Sequence, residues 1–276
     1  MRDTRDMLLV LLSSLLMLTG CSRRDILDDY PVSGVEISLD WNGVTNKLPE
    51  GVRVIFYPKN AEGRKIDTYL SVKGGKVKVP PGRYSVVVYN YDTETVQIRG
   101  EEAYETIEAF TGHCNGLGIA GTEQLVWGPD PLYVVRIDDL KIENSEEELQ
   151  LNWKPKLVVK TYSFKLKVQG LEYVSSIVGS IEGMSSCYDL GLGCGKAGDS
   201  PIYFAARGSA GEVTGSFTVF GTSEGVISRA GNAIKLTLAF VKTDNKVQKM
   251  EVDITEVIAN SESGGSGGDD DGDEPF

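Results

Sequence analysis

The chain has 276 residues, 41% of them hydrophobic and 25% charged, a globular profile that excludes a fibrous or wholly disordered protein. Lys and Arg number 28 against 40 Asp and Glu, a formal net charge of -12, and no basic cluster stands out. That balance argues against a nucleic-acid binder, because phosphate recognition rests on clustered Lys and Arg. One histidine and four cysteines leave multi-His metal centres and histidine-based catalysis short of parts.

The N-terminus reads as an address. Arg2 and Arg5 form a short basic region diluted by Asp3 and Asp6, and Met7 to Leu18 is an uncharged, Leu-rich run. That run is shorter than the roughly 20 apolar residues a membrane span needs, and it suits the hydrophobic region of a signal peptide. It ends in Leu18-Thr19-Gly20-Cys21, which matches a bacterial lipobox. Cys21 is therefore the expected lipid-attachment residue: its thiol would receive diacylglycerol, and the mature chain would start there. Residues 1–20 are the signal peptide, and residues 21–33, with Asp25, Asp28 and Asp29, a polar tether. The expected location is the outer membrane of a Gram-negative cell, lipid-anchored at its surface. The membrane itself is the first partner.

After Pro31 the pattern turns to period two, which a half-buried strand requires. Val35, Ile37, Leu39 and Trp41 alternate with polar or small neighbours, and Val52 to Tyr57, Ile66 to Val72 and Lys76 to Val79 follow. Gly74-Gly75 marks a hairpin and Pro80-Pro81-Gly82 a turn. Arg83 to Tyr91 is apolar on both faces and predicts a central strand. Residues 97–128 are less regular, and Glu101 to Phe110 predicts one short helix. Leu132 to Ile137 and Leu149 to Lys160 supply further strands, the latter crossed by Pro155, where the pattern restarts.

Alternation is cleaner beyond that point. Tyr162, Phe164, Leu166 and Val168 face one way and Ser163, Lys165 and Lys167 the other. Val174 to Ile181, Ile202 to Ala206, Val213 to Phe220, Ala233 to Val241 and Val247 to Ile254 complete about seven strands in roughly a hundred residues, the size of a sandwich domain. The chain predicts an all-β fold of two successive β-sandwiches, at 34–154 and 155–260. Residues 261–276 are Gly-, Ser- and Asp-rich and predict a disordered acidic tail. Six of its residues are Asp or Glu, equal to half of the net charge of -12.

Candidate chemistry is sparse. Gly221-Thr222-Ser223-Glu224-Gly225 matches the G-x-S-x-G nucleophile-elbow string, yet its flanks are strands and no histidine follows it, so it reads as a hairpin loop. His113 and Cys114 are adjacent, which is unsuited to a base–nucleophile pair. Cys187 and Cys194 flank a glycine-rich loop and are candidate disulfide partners, or else two free buried thiols, in an exported chain. Cys114 is then left over and expected to be buried. No catalytic residue, metal site or cofactor is implied. Asp269 to Glu274 lacks the glycine position and distal Glu of a calcium loop. Trp41 reads as core. Trp127, beside Gly128-Pro129-Asp130-Pro131, is the aromatic best placed to stack on a sugar.

Three groups of segments resemble a family of Bacteroidales surface lipoproteins of uncharacterised, domain-of-unknown-function type, whose fold is similar to fimbrillins and their anchor subunits. They are Arg24 to Tyr30 with the strand from Ile37 to Trp41; Val52 to Pro58 with Val79 to Asn90; and Gly170-Leu171, Gly183-Met184 and Gly215 to Phe217. The resemblance implies two transthyretin-like sandwiches behind a lipid-held N-terminus, and a non-enzymatic role as an adhesion or fimbrial accessory or anchor subunit. It also implies fimbrial or other surface-protein partners joined by strand addition. The Gly- and Asp-rich C-terminus departs from a donor strand. The alternative is a surface glycan-binding lipoprotein of a polysaccharide-uptake system, with polysaccharide as partner and Trp127 as its contact.

Overall fold

A computed structural model describes residues 33–60, 63–114, 124–145, 147–197, 200–221 and 233–263. The first five strands are those the alternation marks: β1 (Ser33–Leu39), β2 (Gly51–Pro58), β3 (Ile66–Ser71), β4 (Gly74–Val79) and β5 (Gly82–Asn90). Gly74 makes the β3–β4 turn possible. It has a positive φ of 100°, and a Cβ there would lie 2.0 Å from the Ile37 carbonyl oxygen. β6 (Val96–Arg99), β7 (Glu108–Thr111), β8 (His113–Cys114) and β9 (Leu125–Trp127) are short. β10 (Tyr133–Ile142), β11 (Leu149–Trp153) and β12 (Lys156–Leu157) complete the first half.

Eight of these strands form one sheet in the order β11-β1-β4-β3-β2-β5-β10-β12. Its two end strands are neighbours in sequence, separated only by Lys154 and Pro155. The sheet therefore folds over on itself, and the chain sews its open side shut. Val35, Ile37, Val54, Phe56, Val86, Val88 and Trp153 meet in the enclosed core. Trp41, just past β1, is half-buried across the seam: its ring meets Tyr133 edge-to-face at 5.3 Å, and its Nε1–H donates to the Val72 carbonyl at 2.6 Å.

The second half begins without a break. β13 (Val159–Lys167) follows β12 after one residue; β14 (Val174–Glu182), β15 (Ser185–Asp189), β16 (Cys194–Ala197), β17 (Ile202–Ser209), β18 (Glu212–Phe220), β19 (Lys235–Lys242) and β20 (Val247–Asp253) follow. Six of them pair antiparallel in the order β13-β18-β17-β14-β19-β20. Tyr162, Phe204, Phe217, Leu238 and Phe240 line its apolar face, with Tyr162 stacked on Phe217 at 5.4 Å. The helix α1 (Thr255–Ser263) returns Ile258 to that core, and so runs into the segment expected to be tail.

A third sheet, β16-β15-β7-β6, lies against the first. It explains why β5 is buried on both faces, as its unbroken apolar run predicts. Ile55, Val87, Ile107, Tyr188, Leu190 and Phe220 fill this second core. The helix expected over Glu101 to Phe110 is not formed. Turns occupy residues 101–106 and β7 follows, because the segment gains ladders on both sides, with β6 and with β15. An isolated helix of that length has no comparable support. Thr106 Oγ1 donates to the Gly100 carbonyl at 2.7 Å and closes the turn.

Close packing sets a test. A Cβ on Gly179 of β14 would lie 2.2 Å from the Phe204 ring. Gly179→Ala is expected to destabilise by about 1–3 kcal/mol, lowering Tm by roughly 2–4 °C per kcal/mol in a thermal melt.

Candidate functional site

Cys21 lies outside the described residues, as do residues 222–225 of the G-x-S-x-G string and the tail beyond residue 263. Cys114, Cys187 and Cys194 are free thiols. The expected Cys187–Cys194 bridge is absent for a reason of register: Cys187 lies opposite Lys196, and Cys194 opposite Asp189. The two cysteines thus stand on a diagonal, about 7–8 Å apart in a regular ladder, beyond the usual reach of a disulfide. Burial pushes both the Cys187 and the Cys114 thiols up from their ordinary values. On β8, His113 is exposed and Cys114 buried, so they face opposite ways. Among the described residues no group of three or more His, Cys, Asp and Glu is placed to hold a metal ion.

Trp127 is 43% exposed and is the last residue of β9. Its ring stands edge-to-face with Tyr203 at 5.4 Å, and its backbone N–H donates to the Gly112 carbonyl. The register of β9 against β17 places Trp127 opposite Tyr203 and so creates that pair.

What the structure brings together is a junction that sequence reasoning passed over. The β15–β16 hairpin belongs by sequence to the second half, yet β15 pairs with β7 of the first through Cys187–Phe110, Tyr188–Ala109 and Asp189–Glu108. In return, the first half's β9 runs parallel to β17 of the second. The boundary expected at 154/155 falls in the two-residue step between β11 and β12, and β13 follows β12 after Val158 alone. Val158 donates its N–H to the Leu132 carbonyl and accepts from the Gly221 N–H. One residue is hooked to both bodies.

Charge reinforces the junction. On one face of the third sheet Lys196 Nζ lies 2.9 Å from both Glu108 Oε2 and Asp189 Oδ2, and Arg99 Nε donates to Glu108 Oε1 at 2.8 Å. Asp189 is buried, and its other oxygen accepts the Leu192 N–H at 2.8 Å, closing the hairpin tip. Burial alone would raise the Glu108 carboxyl. Hydrogen bonds from Lys196 and Arg99 outweigh it and hold the carboxyl below the usual range. A second cluster pins the 101–106 turn to β2. Arg53 forks onto Asp67 at 2.9 and 2.7 Å, and also reaches Tyr89 and Glu101. The Arg53 hydrogen bonds hold the Asp67 carboxyl low. Alternating charges at Arg99, Glu108, Asp189 and Lys196 were the available signal, but nothing local links residues almost ninety apart.

Comparisons with known proteins agree with this architecture. The family described as "Domain of unknown function (DUF5119)" matches residues 20–205. A Bacteroides ovatus protein named "Putative fimbrium anchoring subunit Fim4B" is 62% identical over 281 residues, covering 98% of this chain and 84% of that one. A crystal structure described as a "putative adhesin" from Bacteroides ovatus superposes with a TM-score of 0.78 at 60% identity, over 87% of this chain and 89% of that one. The fimbrial anchor protein Mfa2 of Porphyromonas gingivalis shares the fold, with a TM-score of 0.52 at 12% identity and 83% of each chain covered.

Two outcomes follow from the junction. Because each half completes a sheet of the other, calorimetry is expected to show one cooperative unfolding transition, and two well-separated peaks would contradict the coupling. Glu108→Gln removes a charged acceptor and is expected to cost about 1–3 kcal/mol near neutral pH. A carboxyl held low in the folded state stabilises above its unfolded value of about 4.3 and loses that contribution as pH falls through the lower folded value. The stability gap between wild type and variant, read by denaturant titration, therefore narrows as the pH drops through that window.

Proposed function

The chain belongs to the family described as "Domain of unknown function (DUF5119)", and from that premise we propose that it is a non-enzymatic, lipid-anchored cell-surface subunit that holds a fimbrium to the outer membrane. The observation that carries the reading is the 62% identity, along nearly the whole chain, to a protein named as a fimbrium anchoring subunit. The named relatives are fimbrial and adhesin proteins rather than enzymes. The acyl groups on Cys21 are the membrane attachment, since more than one chain on a residue anchors stably where a single chain binds marginally.

The fold supports the role mechanically. Tension from a lipid-held N-terminus enters at β1, which is clamped between β4 on one side and β11 on the other. It then passes to the second body through the run from β12 to β13 and through two exchanged pairings, not through a flexible linker. The partner is another fimbrial subunit, joined by addition of a strand at an end of the second sheet. That sheet ends in β13 and β20, where Phe164 and Met250 are half-buried beside the core. Sheet ends with apolar residues beneath them are where strand addition combines ladder hydrogen bonds with side-chain pockets.

The test is a deletion strain. Loss of the gene is expected to release fimbriae from cells into the medium, with wild type restoring retention and Cys21→Ser failing to do so. The Cys21→Ser protein should also leave the membrane fraction. Retained fimbriae in the deletion strain would remove the anchor reading, and a membrane-bound Cys21→Ser protein would remove the lipid attachment.

A further inference from the structure

The 101–106 turn, the end of β2 and the tip of the β15–β16 hairpin surround an open cleft of about 730 Å³ above β5 and β10. That volume falls within the range of small-ligand sites, about 300–1,000 Å³. The hairpin of the second half, laid on the sheet of the first, supplies one wall of the cleft through Gly191 and Leu192. Its charged lining is balanced, with Lys59, Lys65 and Arg136 against Glu102, Glu105 and Asp138. A charged ligand would meet as much repulsion as attraction there. A neutral ligand rich in hydroxyl groups can use both signs, donating to the carboxylates and accepting from the cations.

The walls are already ordered. Arg136 donates to the Gly191 and Leu192 carbonyls at 3.0 and 2.7 Å and to Asp138 Oδ2 at 3.1 Å, three of the five N–H donors a guanidinium carries. Asp138 Oδ1 accepts the Tyr104 hydroxyl at 2.6 Å, and the Tyr104 ring stands edge-to-face with Tyr57 at 5.9 Å. Arg136, Asp138 and Tyr104 therefore have little side-chain freedom left to lose on binding. Apolar surface is present as well: Leu192 is 64% exposed at the hairpin tip. With Tyr104 and Pro58 it offers contacts suited to the C–H faces of a pyranose ring.

We propose that this cleft binds a short neutral oligosaccharide. The inference is independent of the anchoring role, so loss of saccharide binding would leave fimbrial retention intact. The test uses the full chain in a non-glycosidic detergent, with β-1,4-linked trisaccharides of glucose, xylose, mannose and N-acetylglucosamine, and with maltotriose. A sulfated trisaccharide is the charged control, and binding is read by saturation-transfer NMR and calorimetry. At least one neutral trisaccharide is expected to bind saturably. Leu192→Ser and Glu105→Lys, both at exposed positions, should each weaken it by roughly tenfold or more with unchanged melting curves. The proposal falls if no neutral trisaccharide binds, if only the sulfated one does, or if binding survives both variants. It also falls if Trp127→Ala abolishes binding while the cleft variants do not.

Discussion

Backbone hydrogen bonding sets the terms for this molecule. A strand whose N–H and C=O groups enter a packed interior must find a ladder partner, and two short strands of the middle third, β7 and β9, find one of theirs in the opposite half of the chain. β7 is held between β6 and β15, and β9 lies beside β17. Remove the β15–β16 hairpin and the sheet covering β5 loses two of its four strands. Val87, Tyr89 and Ile107 would then lose their cover, while Leu190 and Phe220 would lose the place where they are buried. The two bodies are parts of one hydrogen-bonded object.

Ion pairing follows from that arrangement. Once Glu108 and Asp189 are brought side by side on adjacent strands, two carboxylates share a largely buried face. Such a site is tolerable only with cations in hydrogen-bond contact, because an unpaired buried charge costs several kcal/mol. Lys196 sits between them and Arg99 flanks Glu108, so each carboxylate is compensated by a residue on a neighbouring strand. The same logic, with Arg53, Asp67 and Glu101, fixes the turn that forms one wall of the cleft. Its opposite wall is the hairpin tip that Asp189 closes. Junction and cleft are thus two consequences of one packing event.

A protein that holds an extracellular filament has to pass force between a membrane attachment and a partner. Two sandwiches on a flexible linker would reorient under tension. Here the chain crosses from one body to the other as an extended strand, with Val158 bonded to both. Pulling the bodies apart means breaking two sets of ladder pairs, β7–β15 and β9–β17, together with the Val158 hydrogen bonds. The rigid crossing and the shared core around Phe220 are what an anchoring role would select.

Much of this was legible in the residues. The all-β class and the long strands of the two large sheets follow from period-two alternation, because a half-buried strand shows its burial one residue at a time. The double burial of β5 is readable from its continuous run of apolar side chains, and Cys114 is buried as expected, whereas Trp41, expected in the core, is half-buried against it. Residues 96–127 and 185–197 were opaque: their strands are two to five residues long, too short for a period to register. The partners that tie β7 to β15 and β9 to β17 lie far along the chain, so local pattern points to a helix at Glu101 to Phe110 and a bridge between Cys187 and Cys194. By itself the sequence determined the strand-rich class and the long strands of the two large sheets, because both reside in local composition and spacing. The tertiary structure alone decided the exchange of strands, the Glu108–Lys196–Asp189 network and the cleft, because each depends on which distant ladder a short strand joins.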